Sequence, residues 1–200
     1  GRPVRVQWSR SDELTASPFG AAMLMRMSAT LAPDGAITDW SHELSSNGHT
    51  ARPGRAATPA LLAAWHLATP FPVLAASDPP LPSGGGAERN AVPGYDLPRW
   101  TITKRHIGDA PLRTSSMRSL GAIGNIFAIE SFMDELAAAA GSDPLAFRLR
   151  HLSDPRAAAV LRRAAAMAGK LGQGGGRGIA QARYKNTGGY CAVVAEVEVD

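Results

Sequence analysis

One stretch decides the fold of the second half of this chain: Met117-Arg-Ser-Leu-Gly-Ala-Ile-Gly-Asn-Ile-Phe-Ala-Ile-Glu-Ser-Phe-Met-Asp-Glu-Leu-Ala137. Its first eight residues include two glycines and predict a tight turn. After Gly124 the apolar residues recur at helical spacing, which predicts an amphipathic helix. The apolar stripe comprises Ile126, Phe127, Ile129, Met133, Leu136 and Ala137. Gly141 then follows as a natural residue for the helix C-terminus.

The turn at 118–124 combines two features that suit a ligand site. Its small residues let the backbone approach a bulky group closely. The free amides of the helix that follows favour anionic or electron-rich groups. A purely structural turn explains the same residues equally well.

Two copies of one capping pattern follow this helix. Ser142-Asp143-Pro144 and Ser153-Asp154-Pro155 each offer an N-cap hydroxyl, an early carboxylate and a proline that needs no amide donor. They predict helices near 143–152 and 154–168, the second ending at Gly169.

Alternating apolar residues predict the strands. Val4, Val6 and Trp8 indicate a half-buried strand. A long hairpin is predicted over 22–45, around the turn Pro33-Asp34-Gly35. Later strands are predicted at 100–106, 178–184 and 190–199.

Two further segments carry local structural signals. Thr58-Pro59 predicts the start of a helix that runs to Leu67. Residues 69–94 are rich in Pro, Gly and Ser and predict a long ordered loop over a surface or at an interface. The fold class expected is α+β, with hairpins and about four helices in layers. Because the chain starts abruptly at Gly1 and stops inside a strand pattern, we expect a piece excised from a larger subunit.

Composition excludes several classes of site. The 200 residues are 44% hydrophobic, and a single cysteine, Cys191, rules out an internal disulfide framework or a cysteine-ligated metal cluster. The net charge of +4 is scattered, so nucleic-acid binding is not expected. The five histidines are not spaced like the ligands of a zinc site, and no catalytic or metal-binding residue is assigned.

Glu130 and Asp134 share a helix face, which predicts a solvated or ion-paired stripe. Arg118 and Arg148 are the candidate partners of Glu130.

Four segments together resemble one family, the molybdopterin-binding large subunits of the xanthine dehydrogenase / aldehyde oxidase group. The opening Gly1–Leu14 is similar to the segment after the family's first glycine-rich loop, and Tyr95-Asp-Leu-Pro98 resembles its Tyr-x-Ile-Pro segment. Met117–Leu152 is the strongest match, since the family turn reads Phe-Arg-Gly-Phe-Gly-Ala-Pro-Gln. Residues 177–199 resemble the opening of its second cofactor-binding region. The branch indicated is the bacterial one of isoquinoline 1-oxidoreductase, nicotinate dehydrogenase and membrane-bound aldehyde dehydrogenase.

The resemblance implies an oxidoreductase that hydroxylates an aldehyde or N-heteroaromatic carbon with oxygen from water. It implies a molybdopterin cofactor with molybdenum, in the cytosine dinucleotide form. By position, six residues would lie against the pterin dithiolene and the molybdenum ligands: Met117, Arg118, Ser119, Leu120, Gly121 and Ala122. Residues 1–170 would end the first molybdopterin-binding region and 171–200 would begin the second.

The turn departs from the family pattern at three positions. Leu120 stands where an aromatic residue flanks the substrate, Ile123 replaces proline and Gly124 replaces glutamine. Thr101 occupies the place of an arginine in purine-hydroxylating relatives, so a purine substrate is disfavoured.

The resemblance also implies partners and a compartment. The partners are an iron–sulfur small subunit and a cytochrome or flavin acceptor, and the location is periplasmic or membrane-associated. The glycine-rich loop and catalytic glutamate of the family would lie outside this chain, so the isolated chain is expected to be inactive and without cofactor. The alternative is a non-catalytic protein-interaction or scaffolding domain.

Overall fold

A computed structural model of the chain describes residues 1–51, 67–70, 75–169 and 175–198. Within these residues the fold is α+β, as predicted. The helices are α1 (Arg10–Ala16), α2 (Ala122–Ala139), α3 (Pro144–Arg150) and α4 (Pro155–Ala168). The strands are β1 (Met23–Leu31), β2 (Ile37–Ser46), β3 (Trp100–His106), β4 (Gly176–Arg183) and β5 (Tyr190–Val197).

The strands form two sheets. β1 and β2 are the predicted hairpin, which turns at Gly35 in the left-handed conformation with φ of 81°. β3 adds to β2 in parallel, with Trp100 opposite Trp40 and His106 opposite Ser46. β4 and β5 pair antiparallel in a sheet of their own, which packs on α4.

The main core lies between β2 and α2. Trp40 is fully buried and meets Phe132 edge to face, with ring centroids 5.2 Å apart. From α2, Ile129 and Met133 point into this core. Phe127, predicted to belong to the same stripe, is instead 72% exposed, because the buried face of α2 follows Asn125, Ile129 and Met133 at four-residue spacing.

The caps of α3 and α4 use carboxylates. Asp143 accepts from the amide of Ala146 at 2.9 Å, and Asp154 accepts from the amide of Arg156 at 3.0 Å. The predicted hydroxyl caps are therefore wrong by one residue, since the proline after each aspartate takes the first helical position. The two predicted helices themselves are confirmed.

The predicted first strand is wrong. Val4 and Val6 are 85% and 83% exposed and pair with no strand among the described residues. Instead Ser9 and Asp12 form a reciprocal capping box that starts the short helix α1.

The predicted helix at 58–67 lies outside the described residues except for Leu67. In the described part of the chain, no helix combines the length and apolar character needed to cross a bilayer.

The long irregular connection is ordered where the structure describes it. After a short 3₁₀ turn at Leu81–Ser83, residues 84–92 lie over the inner face of β2, and we call them the covering loop. His42 Nδ1 donates to the carbonyl of Ala91 at 3.1 Å, and Leu44 packs on Ala87 and Ala91. The covering loop therefore forms a layer between β2 and the start of α2.

Candidate functional site

The turn at 117–122 is closed by its own backbone. The amide of Leu120 donates to the carbonyl of Met117 at 3.1 Å, and the amide of Ala122 donates to Ser119 at 3.1 Å. Ser119 and Leu120 both have positive φ, 78° and 52°. Each such conformation costs a non-glycine residue about 1 kcal/mol or more. Two consecutive residues in this conformation strain the backbone locally, so the surrounding contacts must stabilise the turn.

Gly121 is the point at which the turn meets the covering loop. A Cβ added there would lie 2.2 Å from the carbonyl oxygen of Ala87, which no side chain can tolerate. The amide of Gly121 donates to the carbonyl of Gly86 at 3.1 Å. The two backbones are thus in direct contact, and glycine is required for this approach rather than for its φ, which is −67°.

Asn125 holds the same loop from inside the helix. It is fully buried, and its Nδ2 donates to the carbonyls of Ala87 at 2.7 Å and Arg89 at 2.9 Å. Gly121, the N-cap of α2, lies four residues before Asn125, and both contact the covering loop at Ala87.

The six predicted cofactor residues divide by exposure. Met117 is 58% exposed and Arg118 is also exposed, whereas Ser119 and Leu120 are half-buried. Gly121 and Ala122 are buried. The guanidinium of Arg118 has no hydrogen bond or ion pair with the residues that the structure describes. Among the described residues, no side chain caps the N-terminus of α2.

The far side of the covering loop is fixed to the turn between β4 and β5. Arg89 donates to the Tyr184 hydroxyl at 2.8 Å. Asn90 Nδ2 donates to the carbonyl of Arg183 at 2.8 Å and to the Asn186 side chain at 2.9 Å, while its Oδ1 accepts from the amide of Lys185 at 2.9 Å. The covering loop consequently connects the start of α2 to the second sheet.

An ion-pair cluster fixes the loop to the first sheet as well. Lys104 on β3 places Nζ 2.7 Å from both Asp78 and Glu88. Asp78 also accepts from the amide of His49 at 3.1 Å. Three different elements therefore restrain the covering loop.

Glu130 lies in a buried network on the opposite side of α2. Its carboxylate accepts from Arg148 Nε at 2.9 Å, from the Tyr95 hydroxyl at 2.8 Å and from the amide of Gln181 at 3.1 Å. Burial raises the pKa of Glu130 above its ordinary value, against the opposing effect of the Arg148 guanidinium. Burial, together with the nearby Glu130 charge, also holds the pKa of Tyr95 well above its usual range.

The prediction of an ion-paired stripe is confirmed with Arg148 as the partner of Glu130. Arg148 also binds Asp134 at 2.6 Å. The stripe is not solvated at Glu130, which is 4% exposed. Four segments meet in this network, so it stabilises the scaffold and does not present a reactive group at the surface.

A surface cleft of about 630 Å³ lies beside the segment that leads into the turn. Its lining, taken from the described residues, comprises 47–48, 75–76 and 107–114 and stops short of Met117. Thr114 closes one side by donating to the carbonyl of Gly48 at 3.0 Å.

Comparison with known proteins identifies two relatives along essentially the whole chain. The B subunit of nicotinate dehydrogenase from Pseudomonas putida is 36% identical over 100% of this chain and 17% of that protein. The beta subunit of isoquinoline 1-oxidoreductase from Brevundimonas diminuta is 32% identical over 98% of this chain and 23% of that protein. The chain belongs to the xanthine dehydrogenase / aldehyde oxidase family.

The fold is also similar to that of a solved structure. Aldehyde oxidoreductase from Desulfovibrio gigas matches 81% of this chain and 18% of its own chain, with a TM-score of 0.50 and 17% identity. No family model matches the chain. The chain spans about a fifth of the length of each of these proteins.

Sequence patterns in this family member do not reveal the residues that hold the turn. Asn125 gives only a weak signal, as a polar residue at the head of the buried stripe of α2. Arg89 and Asn90 give none for their contacts with the second sheet, because the partners at 183–186 lie more than 90 residues away.

Proposed function

We propose that this chain is the part of a molybdenum hydroxylase large subunit that carries one wall of the cofactor site, and that residues 117–122 form that wall. The observation that supports the proposal most is the strained turn of Ser119 and Leu120, held rigidly by backbone contacts at Gly121. Strain of this kind persists where the surroundings fix it, and it concentrates at ligand sites.

The chemistry of the turn fits an anionic cofactor. Molybdopterin carries a phosphate and a sulfur-rich dithiolene, both electron-rich groups. The exposed side of the turn offers the guanidinium of Arg118, which has no ion pair with a described residue, and the turn contains no carboxylate. It leads directly into the N-terminus of α2, which no described side chain caps. Met117, Arg118, Ser119 and Leu120 would hold the cofactor from the exposed side.

Gly121 and Ala122 would contribute through their backbone, because both are buried. When bound, the cofactor supplies a two-electron oxidation in which water provides the oxygen. The residues of this chain bind its anionic groups, fix its orientation and, through Met117 and Ile123, exclude water on one side.

An N-heteroaromatic substrate is favoured over an aldehyde. The names of the two relatives specify nicotinate and isoquinoline, both nitrogen heterocycles. The half-buried Leu120 would replace the aromatic side chain that flanks the substrate in other branches. Its aliphatic surface would pack on a flat ring without stacking.

The remaining parts of the enzyme are also proposed. An iron–sulfur small subunit accepts the electrons and passes them to a cytochrome or flavin acceptor, in a periplasmic or membrane-associated location. The cofactor is the cytosine dinucleotide form of molybdopterin. One wall cannot enclose a cofactor, so the isolated chain would be inactive and would not retain it.

One observation favours a different function, a protein-interaction domain without chemistry. The outer face of β5 is apolar and exposed: Val193 is 56% and Val197 is 62% exposed, and Cys191 lies on the same face. A large exposed apolar face marks an interaction surface.

The two functions are separated by metal analysis of the complete protein. The complete large subunit is expressed with its small subunit, and molybdenum and pterin are measured beside the isolated 200-residue chain. Molybdenum and pterin in the complete subunit but not in the isolated chain are the expected result. A folded and matured complete subunit without either would overturn the proposal and favour the interaction domain.

A further inference from the structure

We infer that Asn125 is a positioning residue for the turn at 117–122, acting through the carbonyls of Ala87 and Arg89. This inference rests on the proposed function for its catalytic consequence, but its structural part stands on contacts within this chain. Asn125 itself is fully buried and is not placed against a ligand.

The two Nδ2 hydrogens of Asn125 are both used. Their acceptors, Ala87 and Arg89, are two residues apart, so one amide group sets the path of that part of the covering loop. The carbonyl of Ala87 is also the atom against which Gly121 is pressed. A shift of Ala87 is therefore transmitted directly to the backbone of Gly121.

Gly121 in turn fixes the strained residues before it. Its amide bond to Gly86 is the contact that anchors the end of the turn to the covering loop. Ser119 and Leu120 have unfavourable φ values that relax once that anchor is loose. Asn125 thus stabilises the conformation of Ser119 and Leu120 indirectly, through Ala87 and Gly121.

The rest of the loop does not depend on Asn125. Arg89 and Asn90 bind the β4–β5 turn, and Glu88 binds Lys104. Loss of the Asn125 bonds should displace the backbone at 86–87, while the side chains of Glu88, Arg89 and Asn90 keep the loop attached at its other contacts. A change confined to the turn is the specific expectation.

The test uses Asn125→Asp in the complete large subunit. Aspartate has the same size, but an ionised carboxylate cannot donate and would face two carbonyl oxygens. The matched control is Asn90→Asp. Asn90 is a buried asparagine of the same loop whose Nδ2 also makes two bonds, but these face the β4–β5 turn.

Amide hydrogen exchange gives a readout that needs no cofactor. We expect exchange at Leu120, Gly121 and Ala122 to be at least about tenfold faster in Asn125→Asp, with the core of α2 unchanged. Asn90→Asp should accelerate exchange near Lys185 and leave Gly121 as in the wild type. Unchanged exchange at Gly121 in Asn125→Asp would overturn the inference.

Molybdenum and pterin content of the same proteins tests the consequence for function. Asn125→Asp should reduce the molybdenum and pterin content several-fold and alter the spectroscopic signature of the bound metal. Asn90→Asp should keep the wild-type content and the wild-type signature. Faster exchange with full content and an unaltered signature would overturn the link to the cofactor. A wild-type subunit without molybdenum would refute the proposed function, while the exchange data would still decide the positioning role.

A second variant covers the case in which Asn125→Asp does not fold. Asn125→Ser leaves one donor in a smaller side chain, so the variant should fold with an intermediate increase in exchange at Gly121. Wild-type exchange at Gly121 in a folded Asn125→Ser protein would equally overturn the inference.

Discussion

The Arg148 guanidinium lies fully buried beside the Glu130 carboxylate, with Nε 2.9 Å from Oε2. A second nitrogen of Arg148 donates to the backbone carbonyl of Glu130 at 2.8 Å. The pair joins α3 to α2, and through Gln181 it reaches β4. The relative position of the two sheets therefore depends on a charge pair inside the protein.

Removing one partner of this pair should destabilise the fold strongly. Arg148→Met leaves the Glu130 carboxylate buried without a countercharge, a change that costs about 3–5 kcal/mol in comparable sites. Urea unfolding measures the free energy of unfolding. The double variant Arg148→Met with Glu130→Gln should recover a large part of the loss.

An exposed pair provides the control. Arg99→Ala removes the partner of Asp39 at the surface, where such pairs contribute less than about 1 kcal/mol. Equal losses for Arg148→Met and Arg99→Ala would contradict a structural role of the buried pair.

Gly121→Ala should destabilise the protein by about 1–3 kcal/mol, because the new methyl group would overlap the carbonyl of Ala87 and force the two backbones apart. The matched change is Gly178→Ala on β4, where an added Cβ meets no atom within 4 Å. Thermal unfolding of both variants measures the difference. A Gly121→Ala protein as stable as Gly178→Ala would show that the close approach is not required.

Stability should fall as the pH is lowered below neutrality. Burial lowers the pKa of His42 and also that of His49. The unfolded chain therefore binds protons near an ordinary histidine pKa of about 6.5, before the folded protein does. The stabilisation is complete above that pH and is lost as the pH falls toward the folded-state value, by at most about 1.4 kcal/mol per pH unit for each histidine.

Denaturant unfolding at pH values chosen on both sides of about 6.5 checks this slope. His42→Leu should reduce the slope without abolishing it, because His49 still contributes. A slope that is identical in the variant and the wild type would assign the acid sensitivity to other groups.

Local sequence patterns predicted the secondary structure best where neighbours along the chain supply the contacts. The hairpin around Gly35 and the proline-initiated helices α3 and α4 are of this kind. The alternation at 4–8 failed because a strand needs a partner, and among the described residues none lies beside it.

Part of the candidate site could likewise be predicted from local sequence, and part could not. The turn at 117–122 was visible because its glycines and the following helix are adjacent in sequence. Its support was not, because the covering loop reaches α2 across more than 30 residues, at Asn125, and reaches Asn186 across more than 90. The proposed domain boundary at 170–171 lies outside the described residues and stays a prediction.

Contact between residues 117–122 and the cofactor is tested most directly at Arg118. In the complete large subunit with its small subunit, the molybdenum and pterin content of Arg118→Ala is measured against Arg162→Ala, an exposed arginine on α4. We expect Arg118→Ala to lower the content or the turnover, because the guanidinium would no longer bind an anionic group, and Arg162→Ala to match the wild type. Wild-type content and turnover in Arg118→Ala would remove this turn from the site.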